Sequence, residues 1–246
     1  MHRFRAPTEE LRAGRVWLRG AELHHLRRVL RLGRGARVAL FDGAGGQFLA
    51  EVSSVGPTDA DLRVLGPLAA DIESPLSVVL AVAIAKGTKL DWAIEKGTEL
   101  GASRFMPFMS ARSVPDRHDF ANRVDRWRRV AAAAVAQCGR VAVPEVSDVT
   151  HFADVLGIRA DRRVLFWEES GTPLARGSGE SVASVLVVTG PEGGFTADEA
   201  ALAAAAGFTI AGLGPRILRA ETAAVAAVTL AQFLWGDLSE RTHRGQ

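Results

Sequence analysis

Two glycine-rich segments hold the residues of this chain whose types and spacing best suit chemistry. The first runs Gly190-Pro191-Glu192-Gly193-Gly194-Phe195-Thr196, with Asp198 and Glu199 close behind. Glycine lets a backbone approach a ligand closely and adopt conformations barred to other residues. Thr196 can cap a following helix, and Glu199, three residues on, completes a capping box. The second segment is Leu213-Gly214-Pro215-Arg216-Ile217-Leu218-Arg219-Ala220-Glu221. Turns of this kind also occur with no ligand, so two readings stand at this point: a cofactor-binding turn or a plain strand-to-helix connection. Other chemistries find no support. There is no G-x-G-x-x-G after a first strand, no G-x-x-x-x-G-K-[ST] and no G-x-S-x-G. The chain has no tyrosine, and its one cysteine, Cys138, sits in an alanine-rich helical stretch where it reads as a small buried residue. A lone cysteine also rules out an internal disulfide and a cysteine-rich metal site.

The cations are unevenly placed. Between residues 1 and 40 the arginines Arg3, Arg5, Arg12, Arg15, Arg19, Arg27, Arg28, Arg31, Arg34 and Arg37 face only Glu9, Glu10 and Glu22. Such a strip suits a polyanion, because Lys and Arg contacts to phosphate supply most nucleic-acid affinity; a solvated surface is the other reading. All three lysines, Lys86, Lys89 and Lys96, fall in KGTKLDWAIEK, which points to places where a compact ammonium is wanted in place of a planar guanidinium. His24 and His25 are adjacent, so they point in different directions on a helix and make a poor metal pair.

Short β-like runs carry the arginine strip: VWL, ARVALFD, a turn at Asp42-Gly43, QFLAEVSSV and DLRVLGPL, which together suggest a small barrel. One helix interrupts them, AELHHLRRVLRL, with Leu23, Leu26 and Leu30 on its buried face. Around Asp71–Pro75 the pattern changes, and the expected boundary divides residues 1–72 from 73–246. The second part alternates strands and helices. PLSVVLAVAIA, FMPFM, RRVLFWE, SVLVVTG and FTIAGLG read as strands, with helices at Lys89–Leu100, Asn122–Cys138, Ala197–Ala206 and Glu221–Leu234. Strand-then-helix alternation predicts a mainly parallel α/β sheet. Ligands bind beyond the carboxyl ends of such strands, so the loops after VLFWE, VLVVT and TIAGL should hold the site. At 48% hydrophobic and 24% charged residues, a chain of 246 residues is long enough for two packed domains. No apolar run approaches the roughly 20 residues that span a bilayer, and the charged N-terminus lacks a secretory core, so no membrane partner and a cytoplasmic location are expected.

LGPRILRAETA, taken with GPEGGFTADE, KGTKLDWAIEKGTELGASRFMPFMSARS, QCGRVAVPEV and the N-terminal HRFR and HHLRRVLRL, resembles the RsmE family of the SPOUT superfamily, the ribosomal RNA uridine-N3 methyltransferases. The likeness runs in order along nearly the whole chain. It implies a PUA-like RNA-binding barrel over residues 1–72 and an α/β methyltransferase domain with a trefoil knot over residues 73–246. It also implies a homodimer, S-adenosyl-L-methionine as cofactor, no metal, and 16S rRNA or the small ribosomal subunit as partner. By motif matching, Phe166, Trp167, Gly190, Pro191, Gly193, Leu213, Gly214, Ile217, Leu218 and Arg219 would contact the cofactor. Uridine N3 must lose its proton before it attacks a methyl group. Arg219 and Arg112 are therefore candidates to stabilise the uridine anion, and Glu192 or Glu221 to act as general base, although either carboxylate could equally be structural. Arg3, Arg5, Arg27, Arg28, Arg31, Lys86, Lys89, Lys96, Arg112 and Arg140 are expected to meet RNA. Ala133, Ala136 and Ala220 depart from common family residues, so no side-chain role carries over at those positions.

Overall fold

A computed structural model describes residues 1–69, 72–113, 120–175 and 181–239. Two compact units emerge, Met1–Glu73 with Val135–Val143, and Ser74–Ala134 with Pro144–Gln246. The first unit differs from a single cut at residue 72 by recruiting the distant segment Val135–Val143. Asp71, where the expected boundary region begins, lies outside the described residues.

In the first unit β1 (Arg3–Arg5), β2 (Arg15–Leu18), β3 (Arg37–Phe41), β4 (Gln47–Val55) and β5 (Ala60–Pro67) form one sheet in the order β1-β3-β4-β5-β2. The strand β1 runs parallel to β3 and the other pairings are antiparallel. Alternation in β2 and β4 sends Val16, Leu18, Ala50 and Val52 into a core shared with Phe4, Leu26, Leu40 and Leu62. Two short helices, α1 (Thr8–Ala13) and α2 (Gly20–His24), pack on this unit. The expected basic helix is α-helical only to His24; His25–Val29 continues as a π-helical turn, closed by Leu30 N–H donating to His25 O. Arg31 then takes a left-handed φ of 53°. Leu23 and Leu26 are buried as the pattern required.

The sheet of the second unit is parallel throughout. Its order is β12 (Thr209–Ala211), β10 (Arg162–Phe166), β11 (Ser184–Thr189), β6 (Ser77–Ala83), β7 (Ala102–Met109) and β8 (Glu145–Val146), with β9 (Thr150–His151) also paired to β7. Strands β6 and β11 lie centrally, which explains why both are nearly unbroken apolar runs. The helices are α3 (Lys89–Glu99), α4 (Phe120–Cys138), α5 (Phe152–Leu156), α6 (Ala197–Ala205) and α7 (Ala220–Trp235). From the edge strand β12 the chain returns so that α7 packs on β11, β6 and α3. Gln232 of α7, fully buried, accepts from Ser74 Oγ at 2.8 Å and donates to Gly101 O at 3.2 Å, which fixes the helix against two loops.

Candidate cofactor cleft

Three adjacent strands, β12, β10 and β11, end side by side, and the loops that leave them line a cleft that opens to solvent. Phe166, Trp167 and Glu168 come from the loop after β10, Gly190, Pro191, Glu192 and Gly194 from that after β11, and Leu213, Gly214, Arg216, Ile217 and Leu218 from that after β12. Ala220 and Ala223 of α7 complete the lining. Their spacing of three puts both methyls on one helix face, where larger side chains would narrow the cleft. Ile217 is 89% exposed, an unusual position for a large apolar side chain and one suited to closing over a ligand.

Local chemistry shapes each wall. Thr196 caps α6 by accepting from Glu199 N–H at 3.1 Å, and Glu199 Oε2 accepts from Thr196 N–H at 2.9 Å. Gly194 has φ +65°, and a Cβ there would stand 1.6 Å from Glu168 Oε1, so the Glu168 carboxyl lies directly over this glycine. The loop after β10 closes on the end of β12: Trp167 N–H donates to Ala211 O at 2.9 Å, Gly212 N–H to Thr172 O at 2.8 Å, and Ser170 Oγ to Ile210 O at 3.2 Å.

Of the residues expected to contact cofactor, Gly193 and Arg219 do not line the cleft; the remaining eight do. Gly193 turns toward the aliphatic stem of Arg112, 3.4 Å from where a Cβ would be. Arg219 is exposed at the N-terminal end of α7, and its side chain has no hydrogen bond or ion pair among the described residues. Arg112 donates to the carbonyls of Gly193 at 2.6 Å and Phe195 at 3.3 Å. Glu192 lines the cleft with its carboxyl engaged: Oε1 accepts from Lys89 Nζ at 2.6 Å and from Lys86 N–H at 3.1 Å. Burial alone would raise its pKa, but the Lys89 hydrogen bond, the backbone N–H groups and the Lys89 charge together hold it below the ordinary carboxylate value. A carboxylate so held is a poor proton acceptor. Glu221 is different, with Oε2 buried and without a hydrogen-bond partner, as is Oγ1 of Thr189 just before the second loop.

Three of the residues expected to meet RNA are buried or paired within the chain. Arg140 is buried, donates through two nitrogens to Glu73 Oε2 at 2.9 and 2.8 Å, and is walled in beside it. Arg3 donates to Arg140 O at 2.8 Å and lies 4.9 Å from the Phe41 ring centroid, facing inward. Lys96 is held at 2.8 Å by both Glu95 and Glu99, which raise its pKa through hydrogen bonds and charge. Arg140 is tied to Glu73 because a half-buried carboxylate needs a counter-charge and an enclosed guanidinium must be paired, whereas Arg3 keeps Nη1 buried without a hydrogen-bond partner. By contrast Arg5, Arg27, Arg28, Arg31 and Lys86 are exposed. Sequence reasoning did not select Glu168, Gly194, Arg216, Ala220 or Ala223. The neighbouring Trp167 and Gly193, and the small-residue spacing of Ala220 and Ala223, were the available signals. Among the described residues no group of acids, histidines or cysteines is arranged to hold a metal.

Residues 72–232 match the family model described as RNA methyltransferase domain, and residues 18–65 match the RNA methyltransferase PUA domain. The chain is 35% identical over 226 residues to ribosomal RNA small subunit methyltransferase E of Bacillus subtilis, covering 85% of this chain and 86% of that protein. It is 32% identical over 242 residues to the protein of the same name from Synechocystis, covering 92% and 76%. Among solved structures it is similar to a ribosomal RNA small subunit methyltransferase E from Neisseria gonorrhoeae bound to S-adenosyl methionine, with a TM-score of 0.86, 33% identity, and coverage of 97% and 99%.

Proposed function

Because this chain belongs to the family of ribosomal RNA small subunit methyltransferases E, we propose that it methylates N3 of a uridine in 16S rRNA, with S-adenosylmethionine as methyl donor. The observation that carries this reading is the single cleft built by three loops at the carboxyl ends of adjacent parallel strands. Its residues fit the donor. Gly214, at φ +88°, has open space where a side chain would stand, so the backbone itself can meet the ligand. The apolar Phe166, Leu213, Ile217 and Leu218 offer the lining that small-molecule sites need.

When bound, S-adenosylmethionine supplies a methyl group already activated by its sulfonium. The chain's own residues must then hold the uridine as an anion and exclude water. Arg219 stands unengaged at the positive end of α7, which suits it to the developing charge on the uracil ring. Of the two candidate carboxylates, Glu192 lines the cleft but is committed to Lys89, while Glu221 is not among the lining residues and keeps its unpartnered Oε2 buried. The exposed Arg5, Arg27, Arg28 and Arg31 of the first unit are assigned to RNA phosphates.

The finer architecture belongs to the same reading. The closure of residues 167–172 over the end of β12, followed by the return of α7 to the sheet centre, supports a trefoil knot. Phe233 on α7, 54% exposed, supports a second copy packed on that helix and hence a homodimer. No helix among the described residues is long and apolar enough to cross a membrane, and the substrate assigned here is cytoplasmic. The deciding experiment maps base methylation in ribosomal RNA from cells with and without this protein. A uridine N3-methyl that disappears with the gene and returns on complementation is expected; unchanged small-subunit RNA rejects the proposal.

A further inference from the structure

The loop Gly190–Phe195 forms one wall of the cleft and contains three glycines, at positions 190, 193 and 194. A glycine-rich loop has more backbone freedom to lose than any other of its length. It is tied down from two sides by chain segments that are not its neighbours in sequence. On one side Glu192 Oε1 receives Lys89 Nζ at 2.6 Å and Lys86 N–H at 3.1 Å. On the other, Arg112 Nη1 donates to Gly193 O at 2.6 Å and Phe195 O at 3.3 Å, with its stem packed along Gly193. Immediately beside Arg112, Ala111 N–H donates to Glu199 Oε1 at 2.8 Å, which ties the cap of α6 to the same segment. Lys89 is the first residue of α3, and Arg112 lies three residues beyond the end of β7. The two ties therefore reach the loop from the β6 and β7 side of the sheet.

We propose that Lys89 and Arg112 are positioning residues for the methyl donor: they clamp Gly190–Phe195 in its cofactor-receiving shape, Lys89 through Glu192 and Arg112 through two loop carbonyls. This rests on reading the cleft as the S-adenosylmethionine site. It gives both cations a task other than the RNA contact or anion stabilisation for which their charge first recommends them. Both are already satisfied, and an arginine that donates to two carbonyls of the loop could turn to a substrate only by releasing the wall. The clamp also accounts for Glu192, a carboxylate in a cleft meant for a ligand, as the receiving end of a tie.

Calorimetry with S-adenosylmethionine, RNA binding and single-turnover rates across pH on the full-length protein test this, using Lys89→Met, Lys89→Arg, Glu192→Gln and Arg112→Met, each checked for unchanged thermal unfolding. Lys89→Met should weaken donor binding about three- to fivefold, the scale of a half-exposed ion pair. Arg112→Met, which loses two charge-assisted hydrogen bonds, should weaken it about tenfold or more. Lys89→Arg should recover most of the loss. Glu192→Gln should match Lys89→Met, and the double variant should be little worse than either single one, since both cut the same tie. RNA affinity, the rate at saturating donor and the shape of the pH profile should stay within about twofold of wild type. Weaker RNA binding with intact donor binding overturns the clamp in favour of an RNA contact. A rate loss in Glu192→Gln that high pH restores overturns it in favour of general-base catalysis. Failure of the wild-type protein to bind the donor overturns the cleft assignment itself, and is told apart because it precedes any substitution.

Discussion

The two middle glycines of the second loop look equivalent in sequence and are not equivalent in space. Gly193 has an ordinary backbone conformation and a would-be Cβ at normal contact distance from Arg112, so alanine fits there. Gly194 is left-handed and sits under the Glu168 carboxyl. An alanine at 194 meets about 1–2 kcal/mol of backbone strain and pushes Glu168 out of its place in the cleft wall. Gly194→Ala is therefore expected to weaken S-adenosylmethionine binding about tenfold or more, and Gly193→Ala less than about threefold; equal effects in calorimetry would reject the distinction. The loops themselves were legible, because glycine and a capping box leave a clear local pattern. Commitments between distant residues were not. Glu192 lies 103 positions from Lys89, and Arg140 lies 67 from Glu73; a charge read in isolation carries no sign of whether it is already paired.

At the level of elements, the long strands of the parallel sheet were visible as near-continuous apolar runs and its long helices as apolar periodicity, since burial on both faces or on one imposes those patterns. Shorter pieces escaped. The strands β1, β8 and β9 have two or three residues each, too few to establish a period, and β1 is ordered by pairing with β3. The π-helical turn at His25–Val29 escaped for another reason: one extra residue per turn leaves the leucine pattern nearly intact. Helix α3 shows how packing can reverse a propensity. Gly97 lies in its interior, where alanine would ordinarily gain about 1 kcal/mol. Here a Cβ would come within 2.8 Å of Phe105 Cε1, and Phe105 is fully buried in β7. Gly97→Ala should consequently destabilise by about 1–2 kcal/mol. By displacing the helix that begins at Lys89 it should also loosen donor binding. Chemical denaturation that shows a more stable variant would mean the ring moves aside at little cost.

On the scale of the whole molecule, the first unit takes in a segment that the chain delivers late. Phe41 is buried against Val135, Val141 and Val143, and Glu73 holds Arg140 while also accepting from the N–H groups of Val141 and Ala142. Burial pushes the Glu73 pKa up, yet hydrogen bonds from Arg140 and the two N–H groups, with the Arg140 charge, bring it net below its ordinary 4.5. A depressed carboxylate contributes stability that is complete above the unfolded value and is lost as pH falls through the folded one. Between neutral pH and about pH 5 the contribution should thus be constant, and it should fade with further acidification. Glu73→Gln should cost about 2–3 kcal/mol at neutral pH, less than a fully buried pair because Glu73 is partly exposed. It should also flatten the acid limb of the stability curve; an unchanged limb in urea melts would place the acid sensitivity elsewhere. A sequence cut at one boundary could not reveal this return, because it depends on three-dimensional closure and leaves no composition shift at residue 135. It bears on how the protein is born. A ribosome must extend the chain past Val143 before the N-terminal unit can finish its core, so Ser74–Ala134, a little over a third of the second unit, is already synthesised while the first still waits.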